Sequence, residues 1–74
     1  MRTLADLAPG ETGTVARFLA PEAACLRLME LGLIPGTPVR HIRSAPMGDP
    51  MELEVRGYSL SLRRTDAAQI ALEA

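Results

Sequence analysis

The sequence predicts a mainly β domain in which five short strands form a small, strongly bent barrel, with one helix between the first two strands. Three observations indicate this fold: two strictly alternating segments near the C-terminus, a helix that ends at a glycine, and a length of only 74 residues. An open five-stranded sheet would leave two exposed edges, and closing it into a barrel removes them. We therefore predict a single domain over residues 1–74, with the helix covering one open end of the barrel.

Composition indicates an aliphatic core and a balanced surface. Hydrophobic residues make up 47% of the chain, but only Phe18 and Tyr58 are aromatic. Eight basic residues, all arginine, nearly balance nine acidic ones and leave a net charge of −1. Nucleic-acid binding normally needs a basic excess to neutralise phosphates and aromatic side chains to stack on bases. No nucleic-acid partner is therefore predicted.

Cysteine usage and hydropathy predict a cytoplasmic protein. Cys25 is the only cysteine, so the chain cannot form an internal disulfide. No segment approaches the roughly 20 apolar residues of a membrane span, and the N-terminus lacks the apolar run of a signal peptide.

The first strand and the helix are predicted from local signals. Residues 13–19 contain the β-branched and aromatic side chains typical of a strand, and they follow a turn at Pro9-Gly10. A helix then begins with Pro21 at its first position and runs to about Leu31. Leu26 lies off its apolar face and is expected to be exposed. The apolar face itself consists of Ala24, Cys25, Leu28, Met29 and Leu31.

The end of the helix is the most specific local signal. Gly32 can adopt the left-handed conformation at low cost and so predicts a Schellman motif, in which Leu33 contacts Leu28. Pro35-Gly36 then supplies the fixed φ and the positive φ of a type II turn. This segment joins the helix to the second strand.

The remaining strands are short. Residues 39–43 form a strand in which Val39 and Ile42 have opposite parity, which predicts a bulge or a bend. Two prolines and a glycine make residues 45–50 a loop. One helical turn at residues 65–68 and a last strand at residues 70–72 complete the chain.

The clearest pattern is a hairpin between the loop and that last helical turn. A turn centred on Arg56-Gly57 pairs its alternating apolar residues across two strands and places all of them on one side. Arginine is unfavourable in a type I′ turn, so a four-residue loop with the same register is the alternative. The alternating residues are Met51, Leu53, Val55, Tyr58, Leu60 and Leu62.

No catalytic set is present, and we predict a non-enzymatic protein without a cofactor. Cys25 lies on the apolar helix face, where a thiol is inert, and His41 is the only histidine. A dedicated metal site needs three or four ligands at characteristic spacings, and none of those spacings occurs. His41 is a weak candidate ligand for a divalent metal that is adventitious or bridges two copies of the chain. Otherwise we expect its imidazole to be solvated.

Three motifs follow one another along nearly the whole chain. They are R-L-M-E-L-G-L-I-P-G at residues 27–36, A-P-M-G-D-P at residues 45–50 and R-G-Y-S-L-S-L-R at residues 56–63. Together they resemble the FeoA family, the small cytoplasmic component of bacterial ferrous iron uptake. This resemblance implies an SH3-like barrel, in agreement with the strand count.

The resemblance also implies a partner, the FeoB permease, whose cytoplasmic region carries a GTP-binding domain. The chain would then lie at the inner membrane only through that partner, as an adaptor that supports assembly or gating. Two alternatives remain open: a GTPase activator that supplies an arginine to the partner, and a metal-responsive domain in which a metal bridges a homodimer.

Candidate partner-binding residues lie on the helix, in the loop and at the hairpin turn. Leu26 and Met47 are apolar residues at expected surface positions, where they could anchor a partner. Arg56 is the first candidate for an arginine supplied in trans, and Arg27 the second. Arg27 is also spaced to pair with Glu30 on the helix surface. The full set is Leu26, Arg27, Met29, Glu30, Met47 and Arg56.

Overall fold

A computed structural model describes residues 1–74, apart from the side chain of Glu22. A 3₁₀ turn over Leu4–Asp6 precedes five strands and two helices: β1 (Thr12–Phe18), α1 (Glu22–Glu30), β2 (Pro38–Ser44), β3 (Met51–Val55), β4 (Tyr58–Leu62), α2 (Arg64–Ala67) and β5 (Ile70–Leu72). The strands form one antiparallel sheet in the order β4-β3-β2-β1-β5. The predicted mainly β fold, with a helix between the first two strands, is confirmed.

Strand β1 bends the sheet because its two halves pair with different strands. Its first three residues pair with β2, and Val15 to Phe18 pair with β5 across a register shift between Val15 and Arg17. A second shift, between His41 and Arg43, interrupts the pairing of β2 with β3 and confirms the predicted bulge. The two irregularities increase the local twist and let one short sheet wrap around a core.

The hairpin of β3 and β4 has the predicted register, with Met51 opposite Leu62 and Val55 opposite Tyr58. Arg56 and Gly57 both have positive φ, 51° and 85°, so a two-residue turn is formed despite the arginine.

The core is aliphatic, as the composition predicted, but one hairpin residue does not belong to it. Leu60 is partly buried against the core, whereas Tyr58, which the register places on the same face of the hairpin, is 44% exposed. The Tyr58 hydroxyl donates a hydrogen bond to the carbonyl of Leu31 at the end of α1. Its phenol group needs a polar partner, and the helix end provides one. The buried cluster comprises Leu4, Leu7, Val15, Leu28, Leu33, Val39, Met51, Leu53, Val55, Leu62, Ala67, Ile70 and Leu72.

Helix α1 ends in the predicted Schellman motif. The Leu33 N–H donates to the Leu28 carbonyl at 3.1 Å, and the Gly32 N–H donates to the Met29 carbonyl at 2.9 Å. Gly32 has a φ of +94°, and both leucines belong to the buried cluster. The motif directs the chain from the helix back into the core.

The start of α1 differs slightly from the prediction. Pro21 is the residue just before the helix and not its first residue, because its ψ of 149° is extended. Cys25 and Leu28 are buried and Met29 and Leu31 are half-buried, but Ala24 is exposed. The buried stripe is therefore narrower than predicted. Neither α1 nor α2, the α-helices of the described residues, is long and apolar enough to cross a lipid bilayer.

The residues before β1 form a small network of exposed charges. Arg2 donates to the Glu11 carboxylate at 2.8 Å, and this bond, together with one from the Ala8 N–H, lowers the pKa of Glu11. The pKa of Asp6 is lowered mainly by a hydrogen bond from the backbone N–H of Thr3. These contacts tie the N-terminal segment together.

Candidate partner-binding surface

One side of α1 faces solvent and carries three of the predicted residues. Leu26 is 54% exposed, and Arg27 and Glu30 are also exposed. Met29 is half-buried. The opposite side is anchored by Leu28 in the core and by Cys25, whose thiol donates to the Ala20 carbonyl at 3.4 Å. Leu26 is therefore an exposed apolar side chain on a helix whose opposite side packs against the barrel.

The spacing of Arg27 and Glu30 on the helix predicted that they would pair, but they do not. The Arg27 guanidinium instead donates to the Asp66 carboxylate of α2 at 2.7 Å, a residue 39 positions away in sequence. The two side chains are 64% and 32% exposed, so the pair contributes only about 0–1 kcal/mol to stability. The main consequence of this ion pair is that it connects the middle of α1 to α2 and engages the Arg27 guanidinium.

Arg56 lies at the tip of the β3–β4 turn. The residue is exposed, and its guanidinium donates to the Thr37 hydroxyl at 3.2 Å. Thr37 is buried and follows the Pro35-Gly36 turn, which has the type II pattern with φ of +91° at Gly36. Arg56 is thus the more available of the two arginines proposed to act in trans.

Met47 lies in the loop between β2 and β3 and is 92% exposed. The loop is closed by its own backbone, since the Ala45 N–H donates to the Pro50 carbonyl at 3.0 Å and the Gly48 N–H to the Ala45 carbonyl at 2.7 Å. A highly exposed methionine thus lies on a loop with a defined backbone path.

Arg64, which sequence reasoning missed, connects this loop to the barrel. Its guanidinium donates to the Gly48 carbonyl at 2.5 Å, to the Ala5 carbonyl at 2.9 Å and to the Ser44 hydroxyl at 3.0 Å. Its backbone N–H donates to the Asp49 carboxylate at 2.9 Å. No spacing pattern in the sequence announces these partners, because they lie 15 to 59 positions away.

The structure does not bring all six candidate residues to one point. Met47 and Arg56 lie beyond opposite ends of β3, and four residue steps along a strand span about 13 Å. The C-terminal end of α1 adjoins the turn that carries Arg56, through the bond from Tyr58 to Leu31. The middle of α1 adjoins α2 through Arg27, and Arg64 of α2 contacts the Met47 loop. The candidates are therefore spread over α1, the 45–50 loop and the β3–β4 turn and do not line a single pocket.

His41 is fully buried, so the expectation of a solvated imidazole is wrong. Its Nδ1 lies 2.8 Å from the Leu7 carbonyl and its Nε2 lies 3.0 Å from the Ser44 hydroxyl. A carbonyl only accepts, so Nδ1 carries a proton and donates to Leu7, while Nε2 is hydrogen-bonded to the Ser44 hydroxyl. Both ring nitrogens are engaged, and within the described part of the chain no three His, Cys, Asp or Glu side chains are grouped to hold a metal ion.

Comparison with known proteins places this geometry in a family. The model of the FeoA domain matches residues 2–74. A fusion protein of Porphyromonas gingivalis, described as Fe(2+) transport protein A/Fe(2+) transporter FeoB, is 31% identical over 70 residues. This match covers 95% of the chain but only 8% of the fusion protein, so the chain spans a small part of that relative's length.

Solved structures agree with this assignment. The solution structure of the FeoA protein from Chlorobium tepidum has a TM-score of 0.87 at 36% identity, covering 97% of this chain and 69% of that one. The crystal structure of Stenotrophomonas maltophilia FeoA complexed with zinc, described as an SH3 domain protein, has a TM-score of 0.84 at 27% identity, covering 99% and 91%. The predicted SH3-like fold is confirmed, and the chain belongs to the FeoA domain family.

Proposed function

We propose that this chain is a non-enzymatic accessory protein of bacterial ferrous iron uptake, which binds the cytoplasmic side of a FeoB-type permease with a GTP-binding domain. The observation that carries the proposal is the P. gingivalis fusion, in which a related domain and FeoB form one polypeptide. Fusion holds two domains at high effective concentration, which favours domains that act on each other. The chain would reach the inner membrane through this partner alone.

The exposed side chains on α1 and in the 45–50 loop support a docking role. Leu26 and Met47 are apolar side chains that are mostly exposed, although the same chain buries thirteen residues in its core cluster. Such exposed apolar side chains can become buried anchors in an interface, where a few residues carry most of the binding free energy.

Leu26→Asp and Met47→Asp should each weaken binding to the purified permease about tenfold or more, because a charge would then face an apolar pocket of the partner. The dissociation constant can be measured by biolayer interferometry on permease in detergent. Ser61→Asp is the matched control, since it adds the same charge at an exposed position on β4. Equal affinities for the wild type and both variants, with unchanged thermal stability, would remove these two residues from the interface.

A second candidate function is activation of GTP hydrolysis by the partner. The observation that favours it is Arg56, which is exposed at a turn tip while its guanidinium is oriented by Thr37. An arginine supplied in trans stabilises the negative charge that develops on the transferred phosphate. Arg27 is less suited to this role, because its guanidinium pairs with Asp66.

Arg56→Asn should abolish any stimulation of GTP hydrolysis by the partner's GTP-binding domain while leaving the fold intact. Asparagine tolerates the φ of +51° at this position, so the substitution removes the charge with little backbone strain. Phosphate release with wild type, variant and no added protein is the measurement. If the wild-type protein does not raise the rate of GTP hydrolysis by the partner's domain above its basal rate, this function is ruled out.

A third candidate is a metal-responsive domain, and the zinc-complexed S. maltophilia relative supports it. Both nitrogens of His41 are hydrogen-bonded, so an ion bridging two copies of this chain would use exposed carboxylates. Zinc titration by calorimetry should therefore give the same isotherm for the wild type and His41→Asn. An isotherm that loses a site in the variant would assign the ion to His41.

A further inference from the structure

The loop that carries Met47 is held from outside by a single residue, Arg64. Arg64 contacts the loop twice, through its guanidinium at the Gly48 carbonyl and through its backbone N–H at the Asp49 carboxylate. The other two guanidinium bonds, to Ala5 and Ser44, fix the same group to the 3₁₀ turn and to the end of β2. Three acceptors in different directions suit the planar fork of arginine, which loses little freedom for each bond it forms.

Arg64 is itself supported by a buried chain of hydrogen bonds. The Ser44 hydroxyl that accepts from Arg64 is also hydrogen-bonded to Nε2 of His41, and Nδ1 of His41 donates to the Leu7 carbonyl. His41 has no exposed surface. The guanidinium is therefore connected through Ser44 to His41 inside the barrel. Because the same guanidinium binds Gly48, the loop is connected to the barrel interior as well.

The hydrogen bonds that hold the loop do not give the Met47 side chain any packing within the chain. At 92% exposure its side chain has almost no packing, yet the backbone beneath it is held by its own two hydrogen bonds and by Arg64. Rigid support for an exposed apolar side chain lowers the entropic cost of burying that side chain in a partner. Methionine is suited to such a role because its flexible thioether adapts to the shape of an apolar pocket.

We propose that Arg64 is a positioning residue for partner binding: it holds the 45–50 loop in one conformation so that Met47 enters an apolar pocket on the cytoplasmic region of the permease. This inference rests on the proposed docking function and deepens it, because it assigns Met47 as the residue buried in the partner and Arg64 as the residue that supports the loop. Arg64 acts through Met47 and does not contact the partner, since its side chain is half-buried and Nε and both terminal nitrogens of its guanidinium each donate inside the chain.

A double-mutant cycle on binding tests the proposal. Arg64→Lys keeps the charge but cannot reach three acceptors, and apparent affinity falls in proportion to the fraction of chains with the loop in its binding conformation. If that fraction is about one tenth, binding weakens about tenfold. Met47→Ala should weaken binding about as much or more. The double variant should bind like Met47→Ala alone, because Arg64 contributes to binding only by positioning the Met47 side chain, which this variant lacks. Arg63→Lys, at the exposed neighbouring arginine, is the matched control and should bind like the wild type.

Amide hydrogen exchange supplies a readout that does not depend on the partner. The N–H groups of Ala45 and Gly48 close the loop, so both should exchange faster in Arg64→Lys than in the wild type, while that of Leu53 in β3 should not change. Met47→Ala should leave all three rates unchanged.

The outcomes separate this proposal from the docking function on which it rests. If the wild type binds the permease but Arg64→Lys binds equally well, or weakens binding further in the Met47→Ala background, the positioning role is wrong while docking stands. If Ala45 and Gly48 exchange at unchanged rates in Arg64→Lys, the support of the loop by Arg64 is wrong. If the wild type does not bind the permease, the proposed function fails and the role of Met47 fails with it.

Discussion

Replacing His41 with alanine should lower the free energy of unfolding by about 3–5 kcal/mol, because the substitution combines a cavity with a lost buried hydrogen bond. The ring fills a fully buried position opposite Leu53 in the sheet. Its Nδ1–H donates to the carbonyl of Leu7, a residue that belongs to the core cluster. Since a domain has only about 5–15 kcal/mol of net stability, the variant should unfold at a much lower urea concentration.

Asparagine at the same position separates the two contributions. The amide NH₂ of His41→Asn can replace Nδ1–H as the donor to Leu7, so this variant should recover about 1–3 kcal/mol relative to alanine. Urea unfolding followed by circular dichroism measures both variants. If alanine and asparagine have equal midpoints, the bond to Leu7 contributes nothing measurable. A loss below about 1 kcal/mol for alanine would contradict the burial of the ring.

Local signals in the sequence predicted the hairpin, the helix end and the turn that follows it. The alternation in residues 51–62 determines which side chains face the core, and a one-residue slip would expose all of them, so the register follows from the pattern. Gly32 and Pro35-Gly36 likewise announce backbone conformations that few other residues adopt. The physical cause of each of these features lies within a few residues of the feature itself.

The candidate surface was only partly predictable, because its contacts join distant parts of the chain. Leu26 and Met47 were expected at the surface from helical phase and from loop composition, and both are exposed. Arg27 was assigned to Glu30, its neighbour on the helix, whereas the fold brings Asp66 closer. Tertiary contacts override local pairing, since an exposed pair on a helix contributes only about 0.2–0.5 kcal/mol.

The polar network behind the loop was invisible in the sequence for the same reason. His41 follows Arg40 in a strand, and nothing local indicates that its ring is buried between Leu7 and Ser44. Arg64 resembles any arginine at the start of a helical turn. Both side chains are buried or half-buried because every polar atom they bury finds a partner, a condition that depends on the complete fold.

Gly32→Ala should lower the free energy of unfolding by about 2 kcal/mol, roughly twice the cost of Gly36→Ala. Both glycines have nearly the same positive φ, +94° and +91°, so both variants incur the same backbone strain of about 1 kcal/mol. They differ in their surroundings. A Cβ at Gly32 would lie 2.7 Å from the hydroxyl oxygen of Tyr58, whereas a Cβ at Gly36 would meet nothing within 4 Å.

The additional cost at Gly32 should come from Tyr58, whose hydroxyl must move away and give up its bond to the Leu31 carbonyl. In a Tyr58→Phe background the hydroxyl is absent, so Gly32→Ala and Gly36→Ala should then cost the same. Urea midpoints for the two alanine variants in each background complete the cycle. Equal costs in the wild-type background would show that the hydroxyl yields freely and that backbone strain alone explains Gly32. A smaller cost for Gly32→Ala than for Gly36→Ala would contradict the positive φ that ends α1.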